Sequence, residues 1–183
     1  MFKNNILSVY FMDKKILNTL NYYDGIAKGY LELYHDEQIK KIKNIVNYLP
    51  KNGMILDLGC ADGVINQFIS NEVKLISVDL SFELLKLNTN NLKLNASILH
   101  LPLKSEKFDF VVSFTVFQDL PSIKISVEEV YRIMKNDAIL IISFLHMSSK
   151  VDELIYHLEK NFKLLDKIKE TKDHILVLKK ILN

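Results

Sequence analysis

The sequence predicts a doubly wound α/β fold with a mostly parallel, seven-stranded sheet. Short apolar runs of strand length alternate with segments whose apolar residues recur at helical spacing, and a glycine-containing turn joins the first run to the helix after it. Parallel strands need crossover connections, and right-handed helical crossovers cover both faces of such a sheet. At 183 residues the chain is long enough to bury its own core as one domain.

The first half of the chain supplies two strand–helix units. A helix is expected from about Asp36, and the turn from Gly59 to Gly63 should lead into a second helix over residues 64–69. Ser81 is expected to cap the next helix, because its hydroxyl can accept a hydrogen bond from an early helical N–H. The four strands predicted in this half are residues 54–58, 73–79, 96–99 and 108–113.

The second half continues the alternation and ends differently. Ser126 and Glu129 match a capping box that would open a helix, and Ser149 precedes another helix. The three remaining strands are residues 138–145, 162–168 and 174–182. We expect the last two to form a hairpin, which adds an antiparallel strand to the sheet.

The domain prediction is a single unit over residues 1–183, with residues 1–35 as a helical cap over the active site. The sequence does not indicate the role of residues 1–20, nor whether Met12 is the true start. The sequence does not indicate the oligomeric state.

Composition bears on several function classes, although it leaves RNA binding neither shown nor excluded. The 24 basic and 22 acidic residues give a net charge of +2, so no large field marks a nucleic-acid or membrane-surface binder. Cys60 is the only cysteine, which excludes a disulfide framework and a cysteine-rich zinc site; no metal site is predicted. No run approaches the roughly 20 apolar residues of a membrane span. We expect a soluble protein of the reducing cytoplasm.

The turn after the first strand indicates a pocket for an adenine nucleoside. Glycines there allow close backbone approach to a ligand, and Asp79 ends the second strand, where a carboxylate can accept hydrogen bonds from a ribose diol. Gly59 and Gly63 do not fit the spacing of a dinucleotide fingerprint. Asp57 and Asp62 flank the turn, and their charge favours a cationic ligand over a phosphate. A sulfonium amino acid fits this pattern.

These residues resemble the first motif of the class I S-adenosylmethionine-dependent methyltransferases, in the methyltransferase type 11 group related to ubiquinone and menaquinone biosynthesis. The resemblance covers about residues 22–182. Asp57, Gly59 and Gly63 match the family's D-x-G-x-G-x-G, while Ala61 replaces its middle glycine, which a negative φ would tolerate. Family likeness implies that S-adenosylmethionine is the cofactor and Asp79 its ribose-binding acid.

The resemblance also implies further cofactor contacts. Gly59 and Cys60 would touch the methionine moiety through backbone atoms, and Leu80 would pack against the adenine. The segment from Ala96 is similar to the family's G-D-A-x-x-L-P-F, with a serine in place of its acid. The contacts implied by this and later segments are Ser97 and Ile98 at the adenine, Ser113 and Phe114 after the fourth strand, and Tyr22 or Tyr30 closing over the site as a lid.

The catalytic residues stay unknown at this stage, because methyl transfer from a sulfonium needs a base only for acceptors that must lose a proton. The candidates are Gln118 and Asp119, just after the fourth strand, and His146, just after the fifth. Each could equally be a loop or surface residue. Cys60 is disfavoured as a nucleophile because its place in the turn explains it.

Three functions remain open. The leading one is methylation of an unidentified small molecule, since no N-P-P-Y motif follows the fourth strand. The second is methylation of RNA or protein, with a stripe of helix lysines as the RNA-facing surface, although lysines on exposed helix faces are ordinary. That stripe consists of Lys14, Lys15, Lys40, Lys41 and Lys43. The third is a non-catalytic binding module on the same fold.

Overall fold

A single sheet organises residues 13–182, the part of the chain that the computed structural model describes. Met12 and the residues before it lie outside this range. The strands are β1 Gly53–Leu58, β2 Val73–Asp79, β3 Lys93–Asn95, β4 Phe108–Phe114, β5 Met134–Leu145, β6 Phe162–Lys169 and β7 Asp173–Lys180. The α-helices are α1 Lys14–Ile26, α2 Tyr30–Ile45, α3 Phe82–Leu87, α4 Ile123–Ile133 and α5 Val151–Asn161.

The strand order is β3-β2-β1-β4-β5-β7-β6. Strands β1 to β5 pair in parallel, whereas β7 runs antiparallel to both β5 and β6. This confirms the predicted doubly wound sheet and its closing hairpin. The order reverses between β1 and β4, and ligands of open α/β sheets bind outside the carboxyl ends of the strands at such a point.

Apolar side chains cover both faces of the sheet. On one face, α4 and α5 pack through residues such as Val130 and Leu158 against β4 and β5. On the other face, Ile42 and Ile45 of α2 pack with Ile65 against the central strands. Because both faces are buried, the central strands read as nearly continuous apolar runs, which is why the sequence revealed them.

The third strand and the helix after the glycine turn differ from prediction. Strand β3 is Lys93–Asn95, which pairs with residues 77–79 of β2, and not residues 96–99. Ile98 and Leu99 are buried in a loop, so the apolar run reflects burial rather than a strand. Residues 64–68 form a short 3-10 helix instead of a longer α-helix.

The helix caps give one confirmation and one correction. Ser81 caps α3 as predicted, with its hydroxyl accepting from the Leu84 amide at 3.1 Å. The capping box at Ser126 is wrong, because Ser122 caps α4 and the Ser126 hydroxyl donates to the Ser122 carbonyl from inside the helix at 2.7 Å. Glu129 instead forms an ion pair with Arg132 at 2.8 Å.

The remaining helix boundaries differ by a few residues. Helix α2 begins at Tyr30 rather than near Asp36, directly after a 3-10 turn over Ala27–Gly29. Among residues 13–182, no helix combines the length and the apolar character that crossing a bilayer would require.

Candidate active site

A cavity of about 500 Å³ opens at the carboxyl ends of the parallel strands. Its floor includes Gly59 after β1, Asp79 at the end of β2, Phe114 at the end of β4 and Leu145 at the end of β5. Tyrosines of α1 and α2 form the opposite wall. The cavity therefore lies where the strand order reverses, within the size range of small-molecule sites.

The glycine loop after β1 forms the floor at one end of the cavity. Gly59 has a φ of +71° and Gly63 a φ of +75°, in the left-handed region that favours glycine. A Cβ at Gly59 would lie 2.3 Å from a methyl carbon of Val116, and one at Gly63 would lie 2.3 Å from the Asn88 side chain. Both positions thus require glycine for conformation and for space.

Ala61 adopts a backbone conformation that the sequence did not predict. Its φ is +43°, so the negative φ that would have made alanine an easy replacement is absent. Left-handed backbone costs a non-glycine residue roughly 1–2 kcal/mol. The Ala61 amide donates to Asp79 Oδ2 at 2.9 Å, and this contact accompanies the unusual conformation.

Asp79 is held rigidly at the edge of the cavity. Besides the bond from Ala61, its Oδ1 accepts from the Ser81 amide at 2.8 Å. Burial raises the pKa of Asp79 to about 6, although these backbone bonds act in the opposite direction. The carboxylate is therefore fixed in orientation and mainly ionised at neutral pH, and it can accept hydrogen bonds from ligand hydroxyl groups.

Two more carboxyls lie beneath the glycine loop. Asp57 is 4% exposed, and burial, followed by the charges of Asp79 and Asp62, raises its pKa to about 8. Asp62 Oδ2 lies 2.9 Å from Nδ1 of His35 on α2. This end of the cavity is consequently acidic, which suits a ligand with cationic groups and disfavours a pyrophosphate.

The tyrosine wall comes from the helices before β1. The rings of Tyr22 and Tyr23 meet edge to face with centroids 5.2 Å apart, and those of Tyr30 and Tyr34 are 5.1 Å apart. The Tyr22 and Tyr34 hydroxyls lie 3.2 Å from each other. Burial, followed by the charges of Asp62 and Asp79, raises the pKa of Tyr30. All four tyrosines line the cavity.

The far end of the cavity lies beyond β4. The Tyr23 hydroxyl donates to Asp119 Oδ2 at 3.1 Å, and burial raises the pKa of Asp119. Burial, followed by the Asp119 charge, also raises the pKa of Tyr23. Gln118 uses its Oε1 to accept from the Leu145 amide at 3.1 Å. Asp119 is thus a carboxyl with a raised pKa and a hydroxyl partner, the Tyr23 side chain, in the cavity wall.

A buried ionic network supports the same end from below. Lys41 is 2% exposed, and its ammonium lies 2.6 Å from both Asp173 Oδ2 and Thr115 Oγ1. It also donates to Glu37 at 2.9 Å. Thr115, a wall residue, has a φ of +59°, which is rare for a β-branched side chain. The network holds Thr115 in this conformation.

Comparison with known proteins decides the family. Residues 56–142 match the family model described as a methyltransferase domain. This chain contains a class I S-adenosylmethionine-dependent methyltransferase domain. The cofactor of this domain family is S-adenosylmethionine.

Relatives of the methyltransferase domain extend this finding. An uncharacterized protein of Methanocaldococcus jannaschii is 30% identical over 139 residues, covering 73% of this chain and 54% of the relative. The malonyl-[acyl-carrier protein] O-methyltransferase of Hamiltonella defensa is 32% identical over 104 residues, covering 54% of this chain and 40% of the relative. The chain thus spans about half the length of these curated relatives or less.

A solved structure shares the fold of the methyltransferase domain. The N-methyltransferase NodS of Bradyrhizobium japonicum, in complex with S-adenosyl-L-homocysteine, superposes with a TM-score of 0.68 at 10% identity. The match covers 81% of this chain and 88% of NodS. At this identity the likeness establishes the fold.

Most of the residues that the sequence nominated for the methyltransferase site lie in the cavity wall. Those in the wall are Tyr22, Tyr30, Gly59, Asp79, Leu80, Ser97, Ile98, Phe114, Gln118 and Asp119. The nominated residues outside it are Asp57, Cys60, Gly63, Ser113 and His146. The structure therefore gathers the cofactor candidates and the two β4-end candidates around one space.

The nominated residues outside the wall have other partners. Cys60 is buried, and its Sγ accepts from Asn88 Nδ2 at 3.4 Å, while burial raises the pKa of its thiol. The Ser113 hydroxyl donates to the Leu58 carbonyl at 2.9 Å, which ties β4 to β1. His146 is exposed, with Nδ1 lying 2.6 Å from the Lys172 carbonyl oxygen. Their side chains support the loops and strands around the cavity.

Sequence reasoning missed the network under the far end. Lys41 was grouped with exposed lysines of a helix stripe, and this interpretation is wrong because Lys41 is buried. A signal existed: Lys41 stands four residues before Ile45 and so shares the inward face of α2. Its partners Thr115 and Asp173 lie far away in sequence and had no local signal.

Proposed function

We propose that this chain transfers a methyl group from S-adenosylmethionine to a small-molecule acceptor. The observation that carries the proposal is the cavity itself. One end has a fixed carboxylate and a close-approach glycine loop, and the other has a partly buried carboxyl and tyrosine hydroxyls. The wall of α1 and α2 residues encloses the space, which favours a small acceptor.

The residues at the loop end fit the cofactor. Asp79 would bind the ribose hydroxyls, and the backbone at Gly59 and Cys60 would lie against the methionine moiety. The acids Asp62 and Asp79 would favour the cationic groups of the ligand, and a bound cation would in turn favour the ionised form of the buried Asp57. When bound, S-adenosylmethionine supplies an electrophilic methyl group on a sulfonium. The residues proposed for the adenine and for closing the site are Leu80, Ser97, Ile98, Phe114, Tyr22 and Tyr30, whereas Ser113 would act only by tying β4 to β1 beneath them.

The far end would orient the acceptor and receive its proton. Asp119 is the candidate base, because a carboxyl with a raised pKa holds a proton more readily than an exposed one. Tyr23 would position it through their hydrogen bond. Gln118 lies in the same wall and could donate from its amide nitrogen. Exclusion of water by the tyrosine wall would strengthen these polar contacts.

The cap and the compartment belong to the same proposal. Residues 13–35 would act as a helical cap, since tyrosines on α1 and α2 line the cavity opposite the sheet. The single buried, free cysteine supports a reducing compartment such as the cytoplasm. RNA or protein methylation and a non-catalytic role are the alternatives that the following test and acceptor screening would separate.

The first test is calorimetric titration of S-adenosylhomocysteine and S-adenosylmethionine into the wild type and Asp79→Ala. We expect saturable binding to the wild type and a loss of about 1–3 kcal/mol in the variant, as for lost hydrogen bonds to a charged group. Asp36→Ala, an exposed acid on α2, is the matched control and should bind as the wild type does. Failure of the wild type to bind either ligand would refute the proposal.

A further inference from the structure

Two lysines, which are not themselves part of the cavity wall, converge on a backbone carbonyl of that wall at the end opposite the glycine loop. Lys15 of α1 donates from Nζ to the Leu120 carbonyl at 3.3 Å, and Lys150, just before α5, donates from Nζ to the same oxygen. Because both ammonium groups donate to the same oxygen, the distance between them is at most about twice the length of a hydrogen bond. Leu120 and its neighbour Pro121 belong to the cavity wall.

This lysine pair has little neutralising charge. Among residues 13–182, no carboxylate oxygen lies within the 4 Å of an ion pair from Lys15 or Lys150. Asp119 acts on both lysines, and Glu153 acts on Lys150, from farther away. Asp119 is already engaged with the Tyr23 hydroxyl. Burial and the adjacent Lys15 ammonium lower the pKa of Lys150 to about 8, which agrees with an excess of positive charge.

We propose that Lys15 and Lys150 together bind an acidic group, a carboxylate or a phosphate, on the small molecule that enters the cavity. The inference rests on the proposed function, and it names the acceptor's chemical class. Two ammonium groups beside one another offer several N–H donors, and an anion between them removes their mutual repulsion. The acidic loop end repels such a group, so the molecule would enter with its acidic end at the rim.

The test follows the binding of matched probes by NMR, on protein saturated with S-adenosylhomocysteine. The probes are benzoate and benzamide, which share an aromatic body and differ in charge, and phenyl phosphate as the phosphate counterpart. Lysine Cε signals report the rim, and methyl signals of Ile16 and Leu120 report the cavity wall. We expect benzoate or phenyl phosphate to shift both sets, and benzamide to leave the lysine signals in place.

The variants Lys15→Met and Lys150→Met separate the pair from general charge. Each should weaken binding of the anionic probes by about tenfold, the effect of losing one charged hydrogen bond. Neither should alter benzamide binding. Lys14→Met, on the same turn of α1, is the matched control and should retain wild-type affinity for every probe. The anion preferred by the wild type identifies the acidic group as carboxylate or phosphate.

The outcomes distinguish this inference from the proposed function. Equal affinity of benzoate and benzamide, or unchanged anion binding in Lys150→Met, would overturn the lysine site while cofactor binding stays intact. Anion binding that Lys14→Met weakens as much as Lys150→Met would also overturn it, because the effect would then be general. If S-adenosylhomocysteine does not bind, the proposed function fails, and the same titrations on the free protein still test the lysine pair.

Discussion

The two ends of the cavity are built in different ways. At the loop end, residues near one another in sequence fix the site through backbone atoms: the Gly59 and Cys60 amides both donate to the Val78 carbonyl, at 2.8 and 3.0 Å. At the far end, side chains from distant segments meet, as in the Tyr23–Asp119 bond across 96 residues. A local motif can specify the first kind of site, whereas only the complete fold specifies the second.

The ends also differ in charge. Asp57, Asp62 and Asp79 lie together at the loop end, where the charges of Asp79 and Asp62 add to burial in raising the pKa of Asp57. Lysines at the far end balance its acids, since Glu37 pairs with both Lys41 and Lys172. The cavity thus has an acidic region at the glycine loop and a region of paired charges at its far end.

Lys41→Met should have the largest effect, because it breaks the buried support of the far end. Removing one member of a buried ion pair leaves the other uncompensated, and such changes cost about 3–5 kcal/mol. Asp173 is fully buried, and its Oδ1 already has no hydrogen-bond partner. Urea unfolding measures the loss.

Two further variants show whether charge is the cause. Lys40→Met removes an exposed neighbour and should leave the free energy of unfolding nearly unchanged. Adding Asp173→Asn to Lys41→Met should recover part of the loss, since it removes the uncompensated charge. A single variant as stable as the wild type would mean that the network contributes nothing to the far end.

Gly59→Ala should break the loop end. The added Cβ would meet Val116 at 2.3 Å with φ at +71°, so left-handed strain and overpacking together should cost about 2–5 kcal/mol. Binding of S-adenosylhomocysteine should fall with it. Gly25→Ala on α1 is the control: nothing lies within 4 Å of its added Cβ, and helix propensity should stabilise it by about 0.5–1 kcal/mol. Equal responses of the two glycines would contradict this account of the loop.

Sequence predicted the loop end well because its signals are local. The central strands are buried on both faces, so their apolar runs stand out, and Asp79 follows directly from the end of such a run. The prediction of a strand at residues 96–99 was wrong because loop burial produces the same apolar pattern as strand burial. Periodicity cannot separate the two.

The far end escaped prediction for a physical reason. The buried ammonium of Lys41 contacts Thr115 and Asp173. These partners lie at least 74 residues away along the chain, so no local sequence pattern indicates them. The Lys15 and Lys150 pair arises in the same way. Lysine is exposed in most contexts, so the default interpretation fails wherever tertiary structure supplies a partner.

Asp57→Asn should separate stability from binding at the loop end. Burial raises the pKa of Asp57 to about 8, against about 4 in an unfolded chain, so its ionised form destabilises the folded protein. That cost is complete above about pH 8 and disappears as the pH falls toward 4. The variant should therefore gain at least about 1 kcal/mol at pH 8.5, and less at pH 5, in unfolding without ligand. Weaker binding of S-adenosylmethionine should accompany the gain, and a variant less stable at both pH values would show that Asp57 mainly holds the loop.

Ala61→Gly should have the smallest effect, because its consequences oppose one another. Glycine removes left-handed strain of roughly 1–2 kcal/mol at a φ of +43°. It also gives up a buried methyl, worth about 0.8 kcal/mol, that packs with Tyr30 and Leu84, and it adds about 0.5–1 kcal/mol of unfolded-chain entropy. We expect the free energy of unfolding to change by less than about 1 kcal/mol, because these contributions nearly cancel. A gain above that range would mean that strain dominates at Ala61, and a loss beyond it would mean that packing against the tyrosine wall holds the loop in place.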